Sequence, residues 1–502
     1  MTHDLAEFEH YMAHLSAALG HADRHAGLRG YCTGLMSPLQ RKSVEPMAAH
    51  IDPLKVRSRH QSLHHFVADA RWSDEQLLLR VCQWVVPQMD FSQGGWWIID
   101  DTGFPKQGRH SVGVARQYCG MLGKQDNCQV AVSVSLACEA ASVPVAWQLY
   151  LPREWADDRL RRARAGVPET LAFATKPQIA LQQIEHLIRQ GAPRHCVLAD
   201  AGYGIDTAFR ERLSELGLRY AVGVTGSVTV WPPGREPLPP VAYSGRGNVP
   251  TRLRLGGKAL PQHQPQSIKE LALELAPELA PELAPEQDAE QWHTVTWREG
   301  TNTKLQSRFA RVRVRAAHRD RERKHDHQHD NEHDQLRPAE WLLIEWPEGD
   351  AVPLKYWLST LPEDMTLARM VFEVKMRWRI ERDYQDLKQD LGLGHYEGRG
   401  WRGFHHHASL SIAAYGFLQA QRLQRLGEDK AEGEGKKNPA LCQKPALPPD
   451  YLPRGSRAGA APRQNLDHHV TATHRGAASL QAAAAPVLSA GVKWAVLLTQ
   501  YD

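Results

Sequence analysis

Apolar residues return at helical intervals near the start of the chain, where Leu5, Phe8, Met12, Leu15 and Leu19 form one stripe, the three-and-four spacing of an amphipathic helix. Further helical segments are punctuated by Ser37-Pro38, Asp52-Pro53 and Ser73-Asp74, turn and cap signals that make residues 1–92 an expected helical domain. At Trp96 the period changes. Trp96-Trp97-Ile98-Ile99 is a short run of strand formers that ends in Asp100-Asp101-Thr102-Gly103, so acids are expected where a buried strand opens to solvent. Strands are predicted around 129–137 and 143–151, making three antiparallel strands with short turns. Thr175-Lys176-Pro177 opens a helix with Ile179, Ile184, Leu187 and Ile188 on its apolar face and Gly191 at its end. Then His195-Cys196-Val197-Leu198-Ala199 reads as a second buried strand, terminating in Asp200. A helix over 206–216 and a strand over 218–224 complete a mixed α/β layer.

From about 226 to 350 the chain turns rich in Pro and Gly, with strand-like pieces at 291–297, 305–314 and 340–346, the pattern of a β-rich insertion. Two low-complexity tracts fall within it. The repeat beginning Glu274-Leu275-Ala276-Pro277 reads as an extended arm, and the run from Lys324 to Asp334, alternating His and Asp, as a solvated loop rather than a metal site. A strand over 355–361 leads into a long helix predicted from about 365 to 391. There Leu367, Val371, Val374 and Trp378 recur at spacings of four, three and four, and the next position on that stripe is Glu381. Val374, Glu381 and Lys388 are expected along one face, with Arg377 a turn before Glu381 and with Asp383, Asp386 and Asp390 on the solvated side. A helix to about 426 follows. The expected division is 1–92 helical, 93–225 and 351–427 the two parts of one catalytic core, 226–350 the insertion, and 428–502 a disordered tail rich in Ala, Pro and Gly.

Net charge changes the picture only locally. The 502-residue chain carries a formal +4, but from Arg369 to Arg425 ten Lys/Arg stand against six Asp/Glu, and no acid occurs between Gly398 and Arg425; that run could meet a polyanion. Arg41, Lys42, Lys55, Arg57, Arg59, His60, His64 and His65 are interleaved with the N-terminal helices, which fits a DNA-binding module as well as a plain packing domain, since no clean helix-turn-helix pattern is present. Seven scattered cysteines without a Cys-x-x-Cys pair suggest reduced cytosolic thiols. No basic-then-apolar leader and no run of 18 apolar residues appears, so neither secretion nor membrane insertion is supported, and a cytoplasmic protein is expected.

Asp101, Asp200 and Glu381 stand out because each interrupts an apolar element at its end or on its core-facing stripe. Asp100 competes with Asp101, since a one-residue change of strand phase swaps which acid points into the site; Asp101 is favoured. Carboxylate oxygens suit hard divalent cations, and two such ions activate a water or hydroxyl and stabilise the leaving oxygen of an in-line phosphoryl displacement. Neither a phosphate-binding Gly-rich loop nor a Gly-x-Ser-x-Gly turn is present.

Arg377, Glu381 and Lys388, separated by three and six residues, resemble the Tyr-Arg-Glu-Lys signature of bacterial insertion-sequence DDE transposases, except that Val374 stands at the Tyr position. Asp100-Asp101-Thr102-Gly103-Phe104-Pro105-Lys106, Ser111 to Tyr118, and Val197 to Gly204 are also similar to that group. The resemblance covers about residues 25–425 and implies an RNase H-like core with the β-rich insertion between the second Asp and the Glu. It further implies DNA cleavage at terminal inverted repeats and strand transfer into target DNA by a homodimer, at the nucleoid, with Asp101, Asp200 and Glu381 holding two Mg2+ (Mn2+ able to substitute) and Arg377 and Lys388 on phosphates. Two other readings compete: a catalytically inactive DNA-binding remnant or regulator of element ends, and an RNase H-like nuclease of repair or processing.

Overall fold

The computed structural model describes residues 3–247, 249–250, 253–257, 259–275, 292–299, 304–317 and 336–435. The His/Asp tract, most of the Glu-Leu-Ala-Pro repeat and the tail beyond 435 lie outside the described residues. Five helices come first: α1 (His3–Ser16), α2 (Arg24–Met36), α3 (Val44–Ile51), α4 (Val56–Ala68) and α5 (Asp74–Val85). Strands β1 (Trp96–Pro105), β2 (Ala115–Cys119), β3 (Lys124–Ala137) and β4 (Ser142–Leu149) follow, then helices α6 (Arg153–Ala156), α7 (Arg159–Ala165) and α8 (Lys176–Arg189). Next are β5 (Cys196–Ala199), α9 (Ala201–Gly204), α10 (Thr207–Glu215), β6 (Tyr220–Val224), β7 (Thr229–Trp231), β8 (Gln266–Ser267) and α11 (Ile268–Glu274). The described chain ends with β9 (His293–Glu299), β10 (Lys304–Ala316), β11 (Glu340–Glu345), β12 (Lys355–Ser359), α12 (Leu367–Lys375), α13 (Trp378–Gln389) and α14 (Trp401–Gly435).

The first part of the sheet runs β4-β3-β1-β5-β6. Strand β3 is antiparallel to β1 and β4, while β5 is parallel to β1 and β6 is parallel to β5. Three antiparallel strands followed by two parallel to the first are the arrangement expected of an RNase H-like core in the α/β class. Beyond β6 the sheet continues through β12, β11, β10, β7 and β8. The strands within 226–350 therefore extend the same sheet, joined to it by β12 from the following segment: β12 pairs antiparallel with both β6 and β11, and β9 pairs with β10.

Helix α14 is the spine of the helical side. Its residues from Gly403 to Gln421 are all buried, and α5, α2 and α4 pack against it. Tyr11 in α1 donates to the Ala413 carbonyl at 2.9 Å and its ring stacks on Phe417. The acid-free run expected to meet a polyanion is thus mostly core, and only Arg399, Arg402, Arg422 and Arg425 keep their charges at the exposed ends. Near the start of α14, His405 bridges the Trp401 carbonyl and the Leu149 N–H, while His407 bridges the Tyr31 hydroxyl and the Gly392 carbonyl. Each of these two rings has one donor and one acceptor partner, which the neutral form satisfies; burial pushes His407 down to about 4. Lys42 is buried too, its ammonium donating to the Leu35 and Asp390 carbonyls, so it ties the N-terminal helices to the end of α13 and is withdrawn from any surface role.

The long helix expected from 365 to 391 is two helices. At the junction the hydrogen-bond ladder tightens: Met376 N–H reaches the Glu373 carbonyl, Arg379 the Met376 carbonyl and Ile380 the Arg377 carbonyl. These are i to i+3 bonds, which wind the chain at 3.0 residues per turn and advance its phase by roughly 20° per residue over an α-helix. Over four or five residues the stripe is displaced by about a quarter turn. As a result Ile380, Asp383, Tyr384 and Leu387 face the core, and Glu381, expected on the buried stripe, is exposed. The expectation that Asp383 and Asp386 are solvated is corrected for the same reason, since both are buried.

Candidate active site

The site lies where β5 ends beside the middle of β1, which was expected to stop at its acids but continues through them to Pro105, paired with β3. Their parallel register pairs Ile98 with Leu198 and Ile99 with Ala199. Carried one residue further it sets Asp100 beside Asp200 on the same face, because in-register residues of parallel strands point the same way. Asp200 also caps α9, its Oδ1 accepting the Gly202 N–H at 2.9 Å. Close packing of α9 on β6 demands glycine: a Cβ at Gly204 would collide with the Gly223 carbonyl.

Arg377, at the tightened junction before α13, joins the acids. One guanidinium nitrogen lies 3.1 Å from Asp100 Oδ2 and the other 2.5 Å from Glu381 Oε1. Burial opposes the arginine's charge, but Asp100, Glu381 and Asp200 together outweigh it and hold its pKa above the ordinary value. Asp100 is pushed the other way. Burial raises it to about 7, against the pull of Arg377 and with the help of the Asp200 and Asp101 charges. Lys388, two turns beyond Glu381, donates to the Gly103 carbonyl at 2.9 Å and sits 5.0 Å from the centre of the Phe104 ring; burial lowers it to about 8.

Of the sequence-predicted residues, Asp200, Glu381, Arg377 and Lys388 therefore gather around the middle of β1, from Asp100 to Gly103. Asp101 lies next to this group with a different set of partners: Lys176 Nζ at 2.9 Å and the Tyr203 hydroxyl at 3.5 Å. Asp100, the competitor, is the β1 acid bonded to Arg377. Sequence reasoning missed Lys176 and Tyr203 as neighbours of the site. Lys176 had registered only as part of a helix opening, and Tyr203 as part of the Ala201-Gly202-Tyr203-Gly204 segment. It also assigned Asp383 to the solvated side, whereas its buried carboxylate accepts from Ser135 at 2.9 Å, Ser142 at 2.5 Å and Tyr415 at 2.9 Å. These hydroxyls come from β3, the start of β4 and α14, and they clamp α13 in place behind the site.

Oxygen-only carboxylate donors are the chemistry that hard divalent cations take. Among the described residues, however, no group of three or more His, Cys, Asp or Glu converges closely enough to hold a metal, and Arg377 stands between Asp100 and Glu381. Among the described residues no helix is long and apolar enough to cross a membrane.

A family model of DDE superfamily endonucleases matches residues 14–304. More than half of the chain is covered, and the chain belongs to that superfamily; the match takes in Asp100, Asp101 and Asp200 and stops before Glu381. At the level of individual relatives, the chain is 35% identical over 192 residues to a probable transposase for insertion sequence element IS701 of Microchaete diplosiphon. That alignment covers 38% of this chain and 46% of the relative, so the chain matches a little under half the relative's length.

Proposed function

We propose that this protein is an insertion-sequence transposase that cleaves DNA at the ends of its element and joins them to target DNA, acting as a homodimer on terminal inverted repeats. The observation that carries the reading is the meeting of Asp100, within β1, and Asp200, just past the end of the adjacent parallel β5, with Arg377 and Glu381. Asp200, Glu381 and a β1 acid would hold the divalent cations, Mg2+ or Mn2+. On geometry that acid is Asp100, with Asp101 positioning Lys176. Bound there, the cations would supply Lewis-acid activation of the attacking oxygen and stabilise the leaving one. The chain's own part is to bind and orient: Lys388, fixed by the Gly103 carbonyl, presents positive charge to a phosphate. Arg377 neutralises the acids while no DNA is bound and is free to turn to the substrate when they are otherwise compensated.

The test incubates the protein with a plasmid carrying its gene and native flanks, in Mg2+ and in EDTA, beside Asp100→Asn, Asp101→Asn, Asp200→Asn and Glu381→Gln. Metal-dependent excision at defined ends that is lost in the Asp100, Asp200 and Glu381 variants supports the assignment. Excision lost with Asp101→Asn but kept with Asp100→Asn would return the β1 role to Asp101. Sequence-specific binding by wild type without cleavage would establish the inactive-remnant reading instead.

A further inference from the structure

A cleft of about 820 Å³ opens beyond the end of β1, between the segment from Pro105 to Ser111 and the turn from Gly394 to Arg399, with Arg41 of the N-terminal region on its rim. Its charged and imidazole side chains are Arg41, Lys106, His110, His395 and Arg399, against a single acid, Glu397. That acid is ion-paired with Arg41, and both groups are well exposed. Lys106 is held by donation to the Tyr396 carbonyl at 3.0 Å, which leaves ammonium protons unspent. His395 accepts the Lys42 N–H on Nδ1, so its Nε2 carries the proton and is a donor.

We propose that this cleft binds a single DNA strand continuous with the phosphate at the active site, its backbone lying on Arg41, Lys106 and Arg399. The inference rests on reading the chain as a DNA-cutting enzyme and adds where the strand goes. Three features point to this occupant. The charge is complementary to phosphodiester, with one acid that is already neutralised. The volume lies in the range of small-molecule pockets, too small for a duplex and large enough for a few nucleotides of one strand. The distance also suits: Lys106 follows Asp100 by six residues of extended chain, roughly 20 Å, which a strand covers in about six nucleotides of B-form rise. The Arg41–Glu397 pair then acts as a gate, with Arg41 exchanging Glu397 for a phosphate as the strand enters.

The test measures fluorescence anisotropy of a fluorescein-labelled 12-nucleotide single strand and of the matching blunt duplex, with the full chain in EDTA, over a series of salt concentrations. The Arg41→Ala/Arg399→Ala variant should bind the single strand about tenfold more weakly, with a salt slope shallower by about 1.4, the effect of two lost single-strand phosphate contacts. Arg41→Lys/Arg399→Lys should keep the wild-type slope. Glu397→Ala should bind more tightly, because it removes the acid and frees Arg41; a merely structural ion pair would make it weaken binding as Arg41→Ala does. An unchanged slope in the double Ala variant, weaker binding in Glu397→Ala, or an equal loss on the blunt duplex would overturn the proposal. Absence of metal-dependent excision by wild type would overturn the transposase reading, and the binding series would still decide the cleft.

Discussion

Replacing Asp100 with Asn is predicted to stabilise the protein while disabling its site. Asp100 is 16% exposed and its pKa is carried from 3.8 to about 7, first by burial and then by the Asp200 and Asp101 charges, with Arg377 opposing. At about 1.4 kcal/mol per decade, ionising it costs the native state on the order of 4 kcal/mol. The sign follows from where the proton sits. The folded pKa lies above the unfolded one, so between about pH 4 and pH 7 the native state holds a proton that the unfolded chain has lost, and stability falls as pH rises through that window. Asn resembles the protonated form and escapes the loss. Urea titrations in EDTA, followed by tryptophan fluorescence, should show the two proteins equally stable near pH 4 and the variant ahead by up to about 4 kcal/mol at pH 8. Millimolar Mg2+ should then narrow the gap by stabilising wild type alone, since a ligand that binds only the native state adds about 2.7 kcal/mol at a hundred times its Kd. A stability difference that does not vary with pH, or a variant less stable than wild type at pH 8, would refute the reasoning.

Other consequences are as direct. Asp383→Ala leaves the Ser135, Ser142 and Tyr415 hydroxyls without their acceptor in a fully buried place and should cost about 3–5 kcal/mol in urea denaturation; a loss under about 1 kcal/mol would show that the clamp is dispensable. Gly204→Ala forces α9 away from the Gly223 carbonyl and should destabilise by about 1–3 kcal/mol, with the Asp200 turn displaced, which proteolysis rates at that turn would detect. Lys176→Ala breaks a part-exposed pair with Asp101 and should cost only about 1 kcal/mol. Loss of excision activity far beyond that stability loss would mark Lys176 as a positioning residue for the β1 acids.

Local patterns in the sequence were enough to place several elements of the site. Apolar strand runs followed by an acid located Asp100, Asp101 and Asp200 on β1 and just past β5, although β1 runs on through its acids to Pro105 because β3 pairs with it over its full length. The helical stripe of Leu5, Phe8, Met12 and Leu15 is the buried face of α1 and the turn toward it, and the strand-like pieces at 291–297, 305–314 and 340–346 are β9, β10 and β11. Such features depend on side-chain period, which is a property of neighbouring residues. The order of three antiparallel strands and then alternating helix and strand was legible for the same reason. What tertiary structure decided was phase and partnership. A tightened turn at Met376 and Arg377 moved the helical stripe by about a quarter turn, so Glu381 went to the surface and Asp383 into the core, and no count of residues at a constant 100° could anticipate it. Whether Asp100 or Asp101 meets Arg377 depends on the parity of β1 against β5, a register set by pairing between segments a hundred residues apart. The acid-free stretch after Gly398 looked like a surface for polyanions. It became the buried spine because four distant helices and the sheet had apolar faces to cover, and burying those faces on α14 was the larger gain.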